Sequence, residues 1–332
     1  MRGLTATDLL ERLQSEGQRD SSGKFTLDRR RGAPKLAAYT LPEPAFYMLR
    51  LVQSAVTSGA TAITVRAGQR GVEMVHDGRL DPELVEWLFH CQSEADCPAA
   101  IRSLASGVRC ALAVGVRSLS LRCWDGRRGV SQEWQSGGSR VMNWSATGPP
   151  RLEFRLQRWL RFQLLGGLRA LSLDLLDLLS RSRRSMVPEA AAVYDRCPYL
   201  GPALTLNGRR VNSFSLGRGR LQVERRVSAG NPDSPSSFRA PDDSARPLEA
   251  IIGWTAMSGP ASVVTWLREG VTVMQEELEL GRPGVRALLS SDGLQTDLSG
   301  FRLVHDGAYR ERLSWLRQQV AEMAVAPEVR RL

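Results

Sequence analysis

The chain has 332 residues, enough for a substantial core and for two domains of ordinary size. With 42% hydrophobic and 24% charged residues, its composition excludes an intrinsically disordered or fibrous protein. The net charge of +10 is carried almost entirely by arginine, because Lys24 and Lys35 are the only lysines. The basic clusters at 29–31, 181–184 and 209–220 have few aromatic residues among them, which favours solvated arginine over a nucleic-acid groove.

The cysteines and the apolar segments indicate where the protein resides. The five cysteines lack the paired spacing of a metal site, so we expect buried thiols in a reducing compartment. The chain begins without a charged and then apolar leader, which argues against secretion by the general route. The most apolar stretch, 164–179, contains three charged residues and is too short to span a bilayer. We therefore expect a soluble cytoplasmic protein.

The first elements in chain order are a terminal helix and a helix followed by a hairpin. Residues 1–24 predict a short helix or arm, and a first domain is predicted over 25–190. A helix is predicted over 45–58, with an apolar stripe on one side and Arg50, Ser54 and Thr57 on the other. The alternating segments 62–65 and 72–75 predict an antiparallel hairpin.

The rest of the first domain predicts helices and an antiparallel meander. Asp81 and Pro82 begin a helix that runs to about His90, and a second helix is predicted over 98–114. Four strands separated by glycine-containing turns follow at 118–123, 130–134, 141–144 and 152–156. With the helices on one face of the sheet, the predicted fold class is α/β, of the α+β type, in a two-layer sandwich.

A second α/β domain is predicted over 191–332, with the boundary near 185–200. Helical periodicity covers 164–179 and 188–197, and a strand at 203–206 ends in an Asn-Gly turn. Strands are predicted at 251–256, 262–267, 271–274 and 285–290, and a closing helix at 308–323. The segment 228–247 is rich in Pro, Ser and Asp and predicts a mobile loop.

The succession of helix, turn, hairpin and Asp-Gly over 46–78 resembles the opening of the GHKL, or Bergerat-fold, ATPase superfamily. That superfamily includes gyrase, the ninety-kilodalton heat-shock chaperone, MutL proteins and histidine kinases. The resemblance implies bound ATP and magnesium, with a helix Asn holding the metal and, in the first three groups, a preceding Glu activating water.

The positions of this chain that match the Glu and the Asn are Arg50 and Ser54. An arginine stays protonated and cannot act as the base, whereas Ser54 could ligate magnesium and Arg50 could contact a phosphate. The alternative is a solvated helix face.

Two further GHKL elements are retained in part. The resemblance assigns adenine recognition to an Asp before a glycine turn, and Asp77 with Gly78 offers this pair one place late. It also implies a glycine-rich lid around the phosphates, because only glycine lets the backbone approach so closely. No glycine occurs between Pro82 and Ser106, and Gly107 alone matches the glycine at the start of the helix after the lid.

The second half carries an independent resemblance. Segments 266–274 and 286–299 are similar to a middle-domain run of the heat-shock chaperone, in which an Arg after the final Ser reaches the nucleotide phosphate. Gly300 occupies that position here. The turn at 58–65 looks more like the MutL version, so the branch of the superfamily stays open. The resemblance covers about residues 25–325.

Three hypotheses follow from these substitutions. The first is a nucleotide-responsive or nucleotide-independent binding or scaffold protein with weak or absent hydrolysis. The second is an ATPase with displaced groups, for example Glu43 or Asp77 as base and Ser54 as metal ligand. The third is a MutL-like protein associated with nucleic acid. An unidentified protein partner is favoured over nucleic acid, a membrane is not expected, and the oligomeric state is open.

Overall fold

The computed structural model describes residues 41–86, 88, 97–135, 138–145, 148–158, 186–212, 223–228, 238–240, 243–254 and 261–325. The chain divides into the compact units Met1–Ala33 and Pro34–Leu332, and every described residue belongs to the second. The fold of this part is mixed α/β. The helices expected within 1–24 and over 164–179 lie outside the described residues.

The first sheet has eight strands in the described part of the chain. They are β1 Ala62–Gly68, β2 Gly71–His76, β3 Ser118–Trp124, β4 Arg128–Gln135, β5 Gly138–Ser145, β6 Arg151–Gln157, β7 Ala203–Leu206 and β8 Arg209–Arg210. Their order is β5-β4-β3-β6-β2-β1-β7-β8. β1 pairs antiparallel with β2 and parallel with β7, so the sheet is mixed.

The four strands predicted as a simple meander are present, but their pairing is different. β6 returns between β3 and β2 and pairs with both of them. Its alternating side chains Leu152, Phe154 and Leu156 are at most 3% exposed, and a central strand buries them better than an edge strand would. β5 takes the edge instead, and its Val141 and Met142 are exposed on opposite faces.

Alternation along each strand places one face of the first sheet in the core and the other in solvent. Ile63, Val65 and Met74 are at most 1% exposed. On the opposite face Arg66 and Glu73 are directly opposite each other and form an ion pair at 3.4 Å. The outer face is therefore a charged surface whose acids and bases lie across neighbouring strands.

The helices and the second sheet complete the described fold. The helices are α1 Tyr47–Thr57, α2 Pro82–Glu86, α3 Ala99–Ala113, α4 Pro188–Arg196 and α5 Gly307–Val325. The second sheet contains β9 Val223–Ser228, β10 Phe238–Ala240, β11 Asp243–Trp254, β12 Ser262–Arg268, β13 Val271–Leu278 and β14 Val285–Ser290. Its order is β10-β11-β14-β12-β13, with β9 paired to β11. α1 packs against α3, contacts β13 of the second sheet, and places Tyr47 against Phe154 of β6 in the first sheet, so it lies between the two sheets.

Two features of the predicted second domain fall partly on described residues. Strands β7 and β8 lie beyond position 190 in the chain but belong to the first sheet, because β7 pairs with β1. The segment predicted as a mobile loop contains β10 and the first part of β11, which pair with each other. Residues 229–237, 241 and 242 of that segment lie outside the described part of the chain, so the mobile loop stays a prediction. The division into 25–190 and 191–332 stays a prediction.

The cysteine expectation is confirmed only in part. Cys110, Cys123 and Cys197 are free and buried. Cys97 instead forms a disulfide, which spacing alone did not indicate because a disulfide depends on the distance between two side chains in space. No helix within the described residues is long and apolar enough to cross a membrane.

The close approach of β2 to β6 can be tested at Gly71. An added Cβ there would overlap the carbonyl oxygen of Leu156, whereas the corresponding space at Gly68, across the same hairpin turn, is open. We expect Gly71→Ala to lower the free energy of unfolding by about 1–3 kcal/mol. Gly68→Ala should change it by less than about 0.5 kcal/mol. Urea unfolding followed by circular dichroism measures both, and equal effects would contradict this packing.

Candidate functional site

The polar face of α1 is buried, in contrast to the solvated face that was one sequence-based alternative. Gln53 and Ser54 are 0% exposed, and Arg50 is half-buried. The buried side of a helix normally carries apolar residues, so polar side chains there need partners or they destabilise the fold. Their contacts define the candidate site.

Arg50 bridges α1 and the loop that follows β14. Its Nη2 donates a hydrogen bond to the carbonyl oxygen of Ser299, and its Nη1 donates to Oε1 of Gln53 at 3.2 Å. The guanidinium lies 4.9 Å from the ring centroid of Phe301, within the range of a cation–π contact. Phe301 also packs edge-on against Phe46, with the ring centroids 5.1 Å apart.

The turn that receives Arg50 is held by its own hydrogen bonds. Asp297 accepts hydrogen bonds from the Ser299 hydroxyl at 2.5 Å and from the Gly300 amide at 3.0 Å. Gly300 has a φ of 69°, in the left-handed region. An added Cβ there would overlap the Arg50 guanidinium. Glycine suits position 300 because it adopts this backbone conformation without strain and leaves the space that the Arg50 guanidinium fills.

The tip of the β12–β13 hairpin forms the second contact with α1. Gln53 Nε2 approaches the carbonyl oxygen of Arg268 at 3.5 Å. Arg268 in turn donates to the carbonyl oxygen of Leu294 at 2.9 Å and to the hydroxyl of Thr296 at 3.2 Å. We call the buried face of α1, this hairpin tip and the 299–301 turn the α1 junction. Protein atoms bind the polar face of α1 there.

Ser54, the implied magnesium ligand, lies inside this junction. Its hydroxyl oxygen is buried and has no hydrogen-bond partner among the described residues. A buried hydroxyl without a partner costs stability, typically about 1–3 kcal/mol. Ser54 therefore does not stabilise the junction through its hydroxyl.

Asp77, the implied adenine ligand, makes its hydrogen bonds within the chain. Its carboxylate is exposed and accepts hydrogen bonds from the amides of Thr61 and Ala62 at 2.8 and 3.0 Å, and from the Thr61 hydroxyl. Partial burial raises the pKa of Asp77, but these hydrogen bonds outweigh it, and the pKa is lowered overall. Asp77 therefore stabilises the turn between α1 and β1.

His76 takes the buried position instead of Asp77. It continues the inward alternation of Val72 and Met74 and is 2% exposed. The Gly78 amide donates to its Nδ1 at 3.1 Å, so the proton of the neutral ring lies on Nε2, which has no partner among the described residues. Burial lowers the pKa of His76 to about 4. The period of two along β2 was the sequence signal that could have identified it.

The two glycines of the predicted site serve packing. An added Cβ at Gly78 would overlap the Ser58 hydroxyl and approach the His76 ring. At Gly107 in α3 it would press against the side chain of Leu51 and the carbonyl oxygen of Tyr47. Gly107 thus allows α3 to approach α1 closely, and this role does not require a nucleotide.

Glu269 is a charged group that the sequence analysis missed. It is 9% exposed at the hairpin tip, with a φ of 56°. Burial raises the pKa of its carboxyl to about 7, although Arg50, Arg268 and Arg102 act in the opposite direction. The Glu-Gly pair between two strands indicated a tight turn, but not that the turn would pack beneath α1. Glu43, proposed as a displaced base, is exposed before the 3₁₀ turn that precedes α1.

The side chains at the implied ATP and magnesium positions do not fit those ligands. Magnesium prefers oxygen ligands that face it, whereas Arg50 places a fixed positive charge on this side of α1. Ser54 is fully buried, and the Asp77 carboxylate is bound to the backbone of residues 61 and 62. Within the described part of the chain, no group of three His, Cys, Asp or Glu residues could hold a metal ion.

Comparison with known proteins adds no family to this description. No model of a protein family matches the chain, and no curated protein is significantly similar to it.

The contact between Arg50 and Gly300 can be isolated with a matched pair of glycines. Gly300 and Gly293 both have positive φ, 69° and 74°, but only Gly300 has Arg50 beside it, while Gly293 faces open space. We expect Gly293→Ala to cost about 1 kcal/mol of backbone strain. Gly300→Ala should cost about 1–3 kcal/mol more, because it also displaces the guanidinium.

A double-mutant cycle separates the two contributions. In an Arg50→Ala background the additional cost of Gly300→Ala should disappear, because the overlapping group is gone. Chemical unfolding of the four variants and the wild type measures this coupling. An unchanged cost of Gly300→Ala in that background would show that Arg50 does not occupy the space beside Gly300.

Proposed function

We propose that the chain is a GHKL-related protein that acts as a nucleotide-independent binding or scaffold protein, without ATP hydrolysis. The observation that carries the proposal is the hydrogen bond from Arg50 to the Ser299 carbonyl oxygen. It occupies the helix face to which the resemblance assigns magnesium and the attacking water. The order of helix, hairpin, second helix and mixed sheet supports the proposed Bergerat-type lineage.

A paired substitution explains how the junction functions without nucleotide. In the heat-shock chaperone the resemblance implies an arginine of the second domain that reaches the nucleotide phosphate. Here that position is Gly300, and the arginine is on α1 instead, at position 50. The guanidinium therefore contacts the second sheet's loop directly, and a contact that would involve a phosphate becomes a contact between protein groups.

The outer face of the first sheet favours a protein partner over nucleic acid. Arg155 pairs with Glu73 at 2.9 Å and with Glu153 at 3.4 Å, and Arg66 pairs with Glu73. A surface that binds a phosphate backbone needs cations that are available to it. Arg66 and Arg155 already have acidic partners, which argues against a continuous phosphate track on this part of the sheet.

If the protein acts independently of ATP, titration with magnesium and ATP should detect no binding. Isothermal titration of the full chain with magnesium and ATP should give no binding heat, and purified protein should release no phosphate above a denatured control. The reason is that Arg50 and the fully buried Ser54 leave no oxygen ligand for the metal on α1. Binding with a dissociation constant below about 100 µM, together with turnover, would overturn the proposal in favour of an active ATPase.

The unpartnered state of the Ser54 hydroxyl can be tested without any nucleotide. Because its hydroxyl has no partner among the described residues, Ser54→Ala should leave the free energy of unfolding unchanged or raise it by up to about 2 kcal/mol.

Ser58→Ala is the matched control, since the Ser58 hydroxyl donates to the Ala55 carbonyl oxygen at 2.9 Å. This substitution should lower the free energy of unfolding by about 0.5–1.5 kcal/mol. Thermal and urea unfolding measure both variants. A larger loss for Ser54→Ala than for Ser58→Ala would contradict the assignment of Ser54 as a buried hydroxyl without a role.

A further inference from the structure

One end of the first sheet is an open strand. β5 pairs with β4 at eight consecutive positions without a register shift, and within the described residues no strand lies on its other side. Its described side chains are exposed on both faces, with Val141 at 46% and Met142 at 37%. About half of the N–H and C=O groups of such a strand point away from its neighbour. β5 therefore presents a row of hydrogen-bonding backbone groups to its surroundings.

The opposite end of the same sheet, as far as the structure describes it, is built differently. β8 has only two residues, Arg209 and Arg210, and both are exposed. Short strands, charged side chains, proline and bulges are the usual means by which a protein keeps an edge strand from pairing with another chain. β5 is eight residues long, has no proline, lysine or bulge, and carries Arg140 as its single charged residue. The sheet is thus protected at the β8 end and open at the β5 end.

The charge at the open end is balanced within the sheet. Arg140 lies directly opposite Glu133 of β4, and every other residue of β5 is uncharged. The edge therefore does not select for an acidic partner. A strand that pairs well with it is one that is nearly uncharged and exposes small apolar and polar side chains, and β5 itself meets this description.

Two copies of β5 can pair with each other without a conflict of charge. Residues directly opposite each other in a sheet share a face, so a two-fold axis perpendicular to the sheet pairs odd positions with odd and even with even. An axis at Val141 places this residue opposite its own copy and Arg140 opposite Met142. No arginine then faces an arginine, and pairs of β-branched side chains such as valine stabilise antiparallel strands.

We propose that β5 is a dimerisation edge, which pairs antiparallel with β5 of a second copy of this chain about a two-fold axis near Val141. The first sheets of the two copies then form one continuous sheet. Such an interface uses the same surface on both copies and closes on itself, and the short, charged β8 prevents the first sheet from growing further. The proposal goes beyond the proposed function and does not depend on it, because β5 takes no part in the α1 junction.

Analytical ultracentrifugation of the full chain tests the proposal. A contact made by one strand from each copy is smaller than the interfaces of permanent dimers, so the dimer should dissociate reversibly on dilution. Between about 200 and 1 µM the average mass should fall from near that of two chains towards that of one. A mass of one chain at every concentration would overturn the proposal and leave β5 to a strand of another protein. Growth beyond two chains would also overturn it.

Lysine substitutions on the two faces of β5 locate the interface. Val141→Lys and Met142→Lys should each raise the dissociation constant of the dimer at least about 10-fold, because a lysine at an edge strand opposes pairing. Both positions are exposed, so the unfolding curves of the variants should stay close to that of the wild type. Val304→Lys is the matched control, since Val304 is 40% exposed and lies outside the strands. Wild-type association of Val141→Lys, or an equal loss in Val304→Lys, would overturn the proposal.

A cysteine at the proposed axis tests the arrangement of the two strands. Directly opposite residues of antiparallel strands have Cα atoms about 4.5–5.5 Å apart, within the range of a disulfide. Oxidation with copper phenanthroline should therefore link Val141→Cys into a covalent dimer at least about 10-fold faster than Val304→Cys, which reports the background from the native cysteines. Equal rates for the two variants would overturn the proposal.

Discussion

The arrangement of this molecule depends on one arginine whose charge cannot be removed. A half-buried guanidinium must find acceptors, and Arg50 finds them in the Ser299 carbonyl oxygen and Gln53, with Phe301 against its face. The turn at 299–301 is shaped to receive it, with Gly300 in the left-handed region. Position 300 cannot carry a side chain while Arg50 is in place, so the two sites constrain each other.

Burial decides the state of the other polar groups near α1. His76 keeps a neutral ring because desolvation outweighs the attraction of neighbouring Asp77. Glu269 resists ionisation although three arginines attract its charge. Asp77 lies in solvent and stays ionised through its hydrogen bonds to the backbone. Of these three groups only Asp77 belonged to the sequence-based site, and its carboxylate is engaged in local structure.

Local sequence patterns predicted the positions of the helices and strands well. They did not predict which strands pair across large distances in the chain. The period of 3.6 over α1 and the alternation in β1 and β2 were sufficient to place these elements. The return of β6 between β2 and β3 depends on contacts between strands far apart in the chain, which no local period encodes. Asp77 and His76 are adjacent in sequence, and the alternation along β2 places His76 in the interior and leaves Asp77 exposed.

Protein atoms occupy the face of α1 to which the GHKL resemblance assigns the nucleotide. A crystal structure of the chain grown with magnesium and a non-hydrolysable ATP analogue tests it most directly. The account predicts that the Arg50 guanidinium remains hydrogen-bonded to the Ser299 carbonyl oxygen and that no triphosphate is bound against α1. A structure in which Arg50 has left Ser299 and contacts a bound phosphate would contradict it.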